Sequence, residues 1–280
     1  MSYKTVLVAL NEINRIGALN TSALKIAKID AAFVRGLYTI PAAQIYPSTG
    51  FEAVPQMFEG HQTFFKNNLA KVKNAFEAAL QKANLQGEFV SIEGRSPLIS
   101  DEIISHGKSA DLIIVSATDP AEVSGVELDC IERVLVGAGR PLLVLPRSNE
   151  HILDLDRVVV GWNGGKEAAR AVFDAIPLLQ SAKSVHVVCV DPRNEERVTP
   201  EEPGRRIVAT LQRHKIKSEA KTMEGGGESA GKALLKHAQE INAGLIVMGA
   251  YGHSRLREFV FGGATRHVLD DMTRPVLMSH

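Results

Sequence analysis

The sequence predicts an α/β protein of two tandem doubly wound domains, each a five-stranded parallel sheet flanked by helices. Three observations predict it. Short, near-continuous apolar runs alternate with longer helical stretches, the pattern of parallel strands covered on both faces. That alternation occurs twice in the same order, with matching endings. A polar, turn-rich stretch at residues 146–156, PRSNEHILDLD, separates the copies. The expected domains are residues 1–147 and 155–280.

The elements follow in order. VLVALN at 6–11 and VVVGWN at 158–163 read as the first strand of each copy. Helical stretches come next, at 21–28 and 166–179, and then second strands at 33–40 and 184–190. The first copy has an insertion from Pro41 to about Gly60, rich in apolar and aromatic residues. The helix expected at 61–83 repeats Phe64, Phe65, Leu69, Val72, Phe76 and Leu80 at helical spacing, a core-facing stripe. A strand is expected at 216–222, and Ser96 and Ser229 are matched helix caps. ADLIIVSA (110–117) and AGLIVMGA (243–250) are the fourth strands. RPLLVLP (140–146) and RPVLMSH (274–280) close the copies, and their apolar strands can pair as an internal pseudo-dimer.

Composition excludes several function classes. The 32 basic and 32 acidic side chains cancel, so the chain lacks the basic surplus of a general nucleic-acid binder. The balance divides unevenly, with net −2 over residues 1–150 and net +2 over 151–280. Cys130 and Cys189 lie far apart in no metal-ligand spacing, which fits a reducing compartment. No run approaches the ~18 apolar residues of a membrane span, and the first apolar run is too short for a secretory signal. A cytoplasmic protein with no membrane partner is expected.

The most informative stretch is LIVMGAYGHSRLREFVFGGATRHVL, residues 245–269. A buried strand ends near Gly249 and opens into a loop through Gly252. The chain returns at Gly262–Gly263, where Ala264 and Thr265 lead into a helix. Glycines let a ligand approach the backbone closely. Free N–H groups and the dipole at a helix start favour an anion. Open parallel sheets bind ligands at the carboxyl ends of their strands, where this loop lies. His253, Arg255 and Arg257 make it locally basic. The plain alternative is an ordinary strand–loop–helix link.

The G-x2-G-x9-G spacing after a strand resembles the nucleotide-binding signature of the universal stress protein family, and the resemblance spans both copies. It implies ATP as ligand, with Mg2+ able to accompany the phosphates. Gly249, Gly252, His253, Arg255, Gly262, Gly263, Ala264 and Thr265 would then serve the phosphates. Trp162, Asn163, Gly164, Cys189 and Val190 would face ribose and adenine. The family commonly has Asp where Asn163 stands, and Ser or Thr where Gly263 stands. In the first copy the loop glycines correspond to Ser116, Asp119 and Leu128–Asp129. Acidic side chains there would repel phosphate, so only the second copy is expected to bind ATP. The resemblance also implies a stress-response regulator rather than an enzyme, slow ATP hydrolysis at most, and association as dimers.

Other motifs carry less. GGESAGKA at 226–233 has P-loop spacing, but Ala233 replaces the Ser or Thr that would hold magnesium. It reads first as a glycine-rich turn before a capped helix. Asp191 ends a second strand, where dinucleotide folds hold ribose, yet G-x-G-x-x-G is missing after the first. His237 and Glu240, one turn apart, read as a solvated face. A nucleotide-independent interaction module, working through residues 41–58, is the alternative from another class.

Overall fold

The structure is a computed structural model that describes residues 2–42, 54–118, 125–148, 153–191, 199, 201–251 and 263–280. The chain is α/β, and its mostly parallel strands are flanked by helices. Two compact units divide between Arg140 and Pro141.

In the first unit, β1 (Thr5–Ala9), α1 (Ile16–Asp30), β2 (Phe33–Ile40), α2 (Val54–Ala83), β3 (Gly87–Glu93), α3 (Ile99–Gly107), β4 (Leu112–Ser116) and α4 (Cys130–Gly137) follow in order. Their strands lie in the order β3-β2-β1-β4, all parallel. Strands β1 and β4 are apolar and buried along almost their whole length, as helices on both faces require. The edge strand β3 is half-exposed and alternating, which is why it lacks the apolar run of its neighbours.

The second unit begins with β5 (Leu142–Leu145) and β6 (Arg157–Gly161). It continues through α5 (Lys166–Asp174), α6 (Ile176–Gln180), β7 (Ser184–Val190), α7 (Glu202–Arg213), β8 (Ser218–Met223), α8 (Ala230–Glu240), β9 (Leu245–Gly249), α9 (Gly263–Asp271) and β10 (Val276–Ser279). Its order is β5-β10-β9-β6-β7-β8. All neighbours are parallel except β5 and β10, which pair antiparallel with Val144 opposite Val276 and Leu142 opposite Met278. The closing strand of the first repeat is thereby a strand of the second unit.

Two helix boundaries differ from the sequence expectation. The helix expected at 166–179 is broken at Ala175, because Pro177 sits in the first turn of α6. Proline lacks an N–H and clashes with a preceding carbonyl, so it starts helices better than it continues them. Helix α2 begins at Val54, inside the stretch read as an insertion. Phe65, Val72 and Phe76 of α2 are core, whereas Phe64 is 39% exposed. Among the described residues, no helix is long and apolar enough to cross a membrane.

Candidate functional site

Strand β6 lies between β9 and β7, and the chain leaves it toward β7. The carboxyl ends of β6 and β9 thus flank a topological switch point, the place where open α/β sheets take ligands. Three segments meet there: the turn after β6, the end of β7, and the start of α9 beyond β9. The remainder of the loop, with Gly252, His253, Arg255 and Gly262, lies outside the described residues.

Gly249 ends β9 opposite Ser279 of β10. A β-carbon there would lie 2.4 Å from both Ala168 N and Glu167 C in the first turn of α5. Its role is close approach of a helix to a strand end, and no left-handed φ is involved. Gly263, at the other side of the loop, is exposed. Among the described residues, a β-carbon there would meet only His267 Nδ1, at 4.0 Å. The His267 ring nitrogen lies against the Gly263 carbonyl.

Thr265 is buried, and its Oγ accepts a hydrogen bond from Tyr251 N at 3.3 Å. The hydroxyl therefore ties the start of the loop to its return. Behind it, α8 and α9 approach so closely that a β-carbon on Gly231 would stand 2.5 Å from Ala264 O. The position of α8 thus sets where α9 begins.

On the nucleoside side, Trp162 N donates to Val188 O at 2.9 Å, which carries the β6–β7 pairing one residue past β6. The Trp162 indole is half-buried, and its Nε1 has no partner among the described residues. Asn163 Oδ1 accepts from Gly165 N at 2.9 Å, an Asx turn that leads into α5, and Gly164 takes φ +71° within it. A short polar side chain with an acceptor oxygen is what this turn needs, so Asn serves as Asp would. Its amide nitrogen has no partner among the described residues and can donate outward.

Cys189 is placed differently from its neighbour. It is 3% exposed, and a β-carbon on Gly204 of α7 would meet its Sγ at 3.2 Å. Burial pushes its thiol pKa up. The side chain is packing under α7, so only its backbone and Val190 are left for a ligand. Asp191, at φ +44°, accepts from Gly225 N at 2.8 Å and anchors the turn after β8. Gly226 and Gly227 have positive φ, and Ser229 caps α8 by accepting from Lys232 N at 3.3 Å. GGESAGKA is thus a turn and a capped helix, and Asp191 is a turn anchor.

The matching edge of the first unit is filled by its own side chains. Asn11, buried, donates to Thr39 O at 2.7 Å and accepts from Thr39 N at 3.1 Å. Arg15, also buried, donates to Ser116 Oγ at 3.3 Å, at the position that corresponds to Gly249. Glu127 accepts from Ile99 N at 3.1 Å and Ser100 N at 2.6 Å, so a carboxylate caps α3. Asp119 and Glu122 lie outside the described residues. Replacement Glu127→Ala leaves two helix-start donors unpaired and should cost about 1–2 kcal/mol, read by urea denaturation. An unchanged midpoint would remove the cap from the account.

Sequence reasoning missed two things here. The close packing of Gly231 on α9 was hidden inside an apparent phosphate motif. His237 is 2% exposed rather than solvated. It shares the buried stripe of α8 with Ala233, Leu234 and Ala238, and that periodicity was the available signal.

Comparisons with known proteins agree with this architecture. The universal stress protein family model matches residues 155–280. The universal stress protein Slr1230 of Synechocystis is 26% identical over 235 residues, covering 82% of this chain and 79% of that protein. Among solved structures, a universal stress protein from Archaeoglobus fulgidus superposes with TM-score 0.70 at 18% identity, covering 99% of this chain and 98% of that one. A Pseudomonas aeruginosa protein described as functionally unknown gives TM-score 0.64 at 16% identity, covering 99% and 92%. These two show the shared fold.

Proposed function

We propose that this chain, whose residues 155–280 belong to the universal stress protein family, is a cytoplasmic stress-response regulator that binds ATP in its second unit. One observation carries the reading. The glycine-cornered segment that leaves β9 returns at the N-terminus of α9, at the switch point between β6 and β9. In this reading Gly263, Ala264 and Thr265 offer α9's free N–H groups to the phosphates. Gly252, His253, Arg255 and Gly262 complete the cradle. Trp162, Asn163 and Gly164, with the backbone at Cys189 and Val190, line the nucleoside side. Mg2+, if carried, rides on the phosphates, because the described residues include no cluster of metal-ligating side chains. The first unit binds no ATP in this manner, since Arg15 and Glu127 stand where a ligand would go.

Calorimetry with MgATP tests this on the native chain and on Gly252→Val and Gly262→Val. Binding by the native chain and a loss of about tenfold or more in each variant is expected. Undiminished affinity in both would remove the loop from the site.

A second reading, a nucleotide-independent interaction module, has one observation in its favour. The Thr265 hydroxyl already serves Tyr251 N. Purified protein free of adenine nucleotide, with no thermal shift in millimolar ATP, would select it.

A further inference from the structure

His237 lies on the buried stripe of α8, between two charged groups of opposite sign. Its Nδ1 is 3.3 Å from Lys221 Nζ on β8 and 3.5 Å from Glu240 Oε2 on its own helix. An ammonium only donates. While Nδ1 accepts from Lys221, the ring proton must therefore sit on Nε2, which is buried with no partner among the described residues. A protonated ring cannot accept from Lys221, but it can donate from Nδ1 to Glu240.

The other neighbours sharpen the contrast. His186 of β7 stands edge-on with its ring centre 5.8 Å away, and Glu219 of β8 takes His186 Nδ1 at 3.1 Å. Beyond Arg157, β6 holds only valines and Gly161. On α9, Arg266 faces Asp270 at 3.5 Å, His267 turns to the Gly263 carbonyl, and Asp271 is exposed. Among the described residues, Lys221, His186 and Glu240 are thus the groups that act on His237.

We propose that α8 carries a proton-operated switch, in which protonation moves His237 Nδ1 from Lys221 to Glu240 and loosens α8 from β7 and β8. The Gly231–Ala264 contact passes that movement to the start of α9. This last step rests on the nucleotide reading of the site, and the first does not.

The direction follows from the ring's surroundings. Burial, then Lys221, hold the His237 pKa below the ordinary histidine value, and Glu240 opposes them. The unfolded chain therefore takes up this proton first. The stability it contributes is complete above about pH 6.5 and is lost as pH falls through the depressed folded value.

Trp162, the one tryptophan in the chain, supplies a ligand-free readout. It follows Gly161, where a β-carbon would meet Leu234 Cδ1 of α8 at 2.8 Å. Indole emission of the native chain should change reversibly as pH falls below about 6.5. His237→Gln should abolish the change. Lys221→Met should move its midpoint up, and Glu240→Gln down. A structural role alone would not give opposite shifts. A transition kept in His237→Gln, or shifted the same way by both partner changes, overturns the switch. Should His237→Gln fail to fold, the two surface changes decide the matter.

MgATP affinity is measured on either side of the midpoint, and a loss of about threefold or more on the acid side is expected. Equal affinity at both pH values overturns the coupling to α9. No binding at either pH overturns the proposed function, while the emission transition still decides the switch.

Discussion

Gly249→Ala should destabilise the second unit by about 3 kcal/mol, the upper end of what overpacking costs. Both atoms that the new methyl would strike, Ala168 N and Glu167 C, are backbone and cannot rotate away. Relief requires α5 to lift off β9, which also disturbs the Asx turn at Asn163. MgATP binding should fall with the fold. Gly263→Ala is the informative partner. Among the described residues its methyl meets only His267 Nδ1, at 4.0 Å, so stability should stay within about 0.5 kcal/mol of native. Any loss of binding in that variant then belongs to the ligand. Two glycines of one sequence signature thus do different jobs. Equal stability losses in both would refute that division.

Phe76→Ala should cost the first unit about 3–5 kcal/mol, the usual result of deleting a buried phenyl ring. The ring is 1% exposed, 6.1 Å from Phe89, and lies directly over Gly36 of β2. A β-carbon on Gly36 would meet it at 2.8 Å. Gly36→Ala should therefore be harmful alone and less harmful once the ring is gone, with the Leu10 Cδ1 contact at 3.0 Å remaining. A double-mutant cycle by urea denaturation should show favourable coupling of about 1 kcal/mol or more. Additive losses would mean that the ring does not rest on Gly36.

Much of this fold was legible because parallel strands buried on both faces leave a signal that needs no partner information. β1, β4, β6 and β9 were visible as apolar runs for that reason. β3 was counted among the five strands of the first copy but not located, since its alternating GEFVSIE has no continuous apolar run. The break at Pro177 was written in the sequence, but the apolar run on both sides of it reads as one helix. The site divides in the same way. Spacing alone put Gly249 at the end of β9 and Gly263 at the start of α9, while Gly252 and Gly262 lie outside the described residues. It could not tell which face of β7 carries α7, and so could not see that Cys189 points into packing. Nor could it show that Asn163, Asp191 and Thr265 already hold turns together. Short polar side chains at strand ends look alike whether they serve a ligand or the backbone.

The antiparallel pairing of β5 with β10 decides how the second half can be made alone. Expressed from residue 155, where the family match begins, it would lack β5 and present β10 as an open, largely apolar edge. Such a preparation should self-associate through that edge. One started at Pro141 keeps that edge paired with β5, and sedimentation of the two side by side would show how far the β10 edge drives association. In the growing chain, β5 is synthesised more than a hundred residues before the strand it pairs with. Until β10 emerges, β5 has no antiparallel partner.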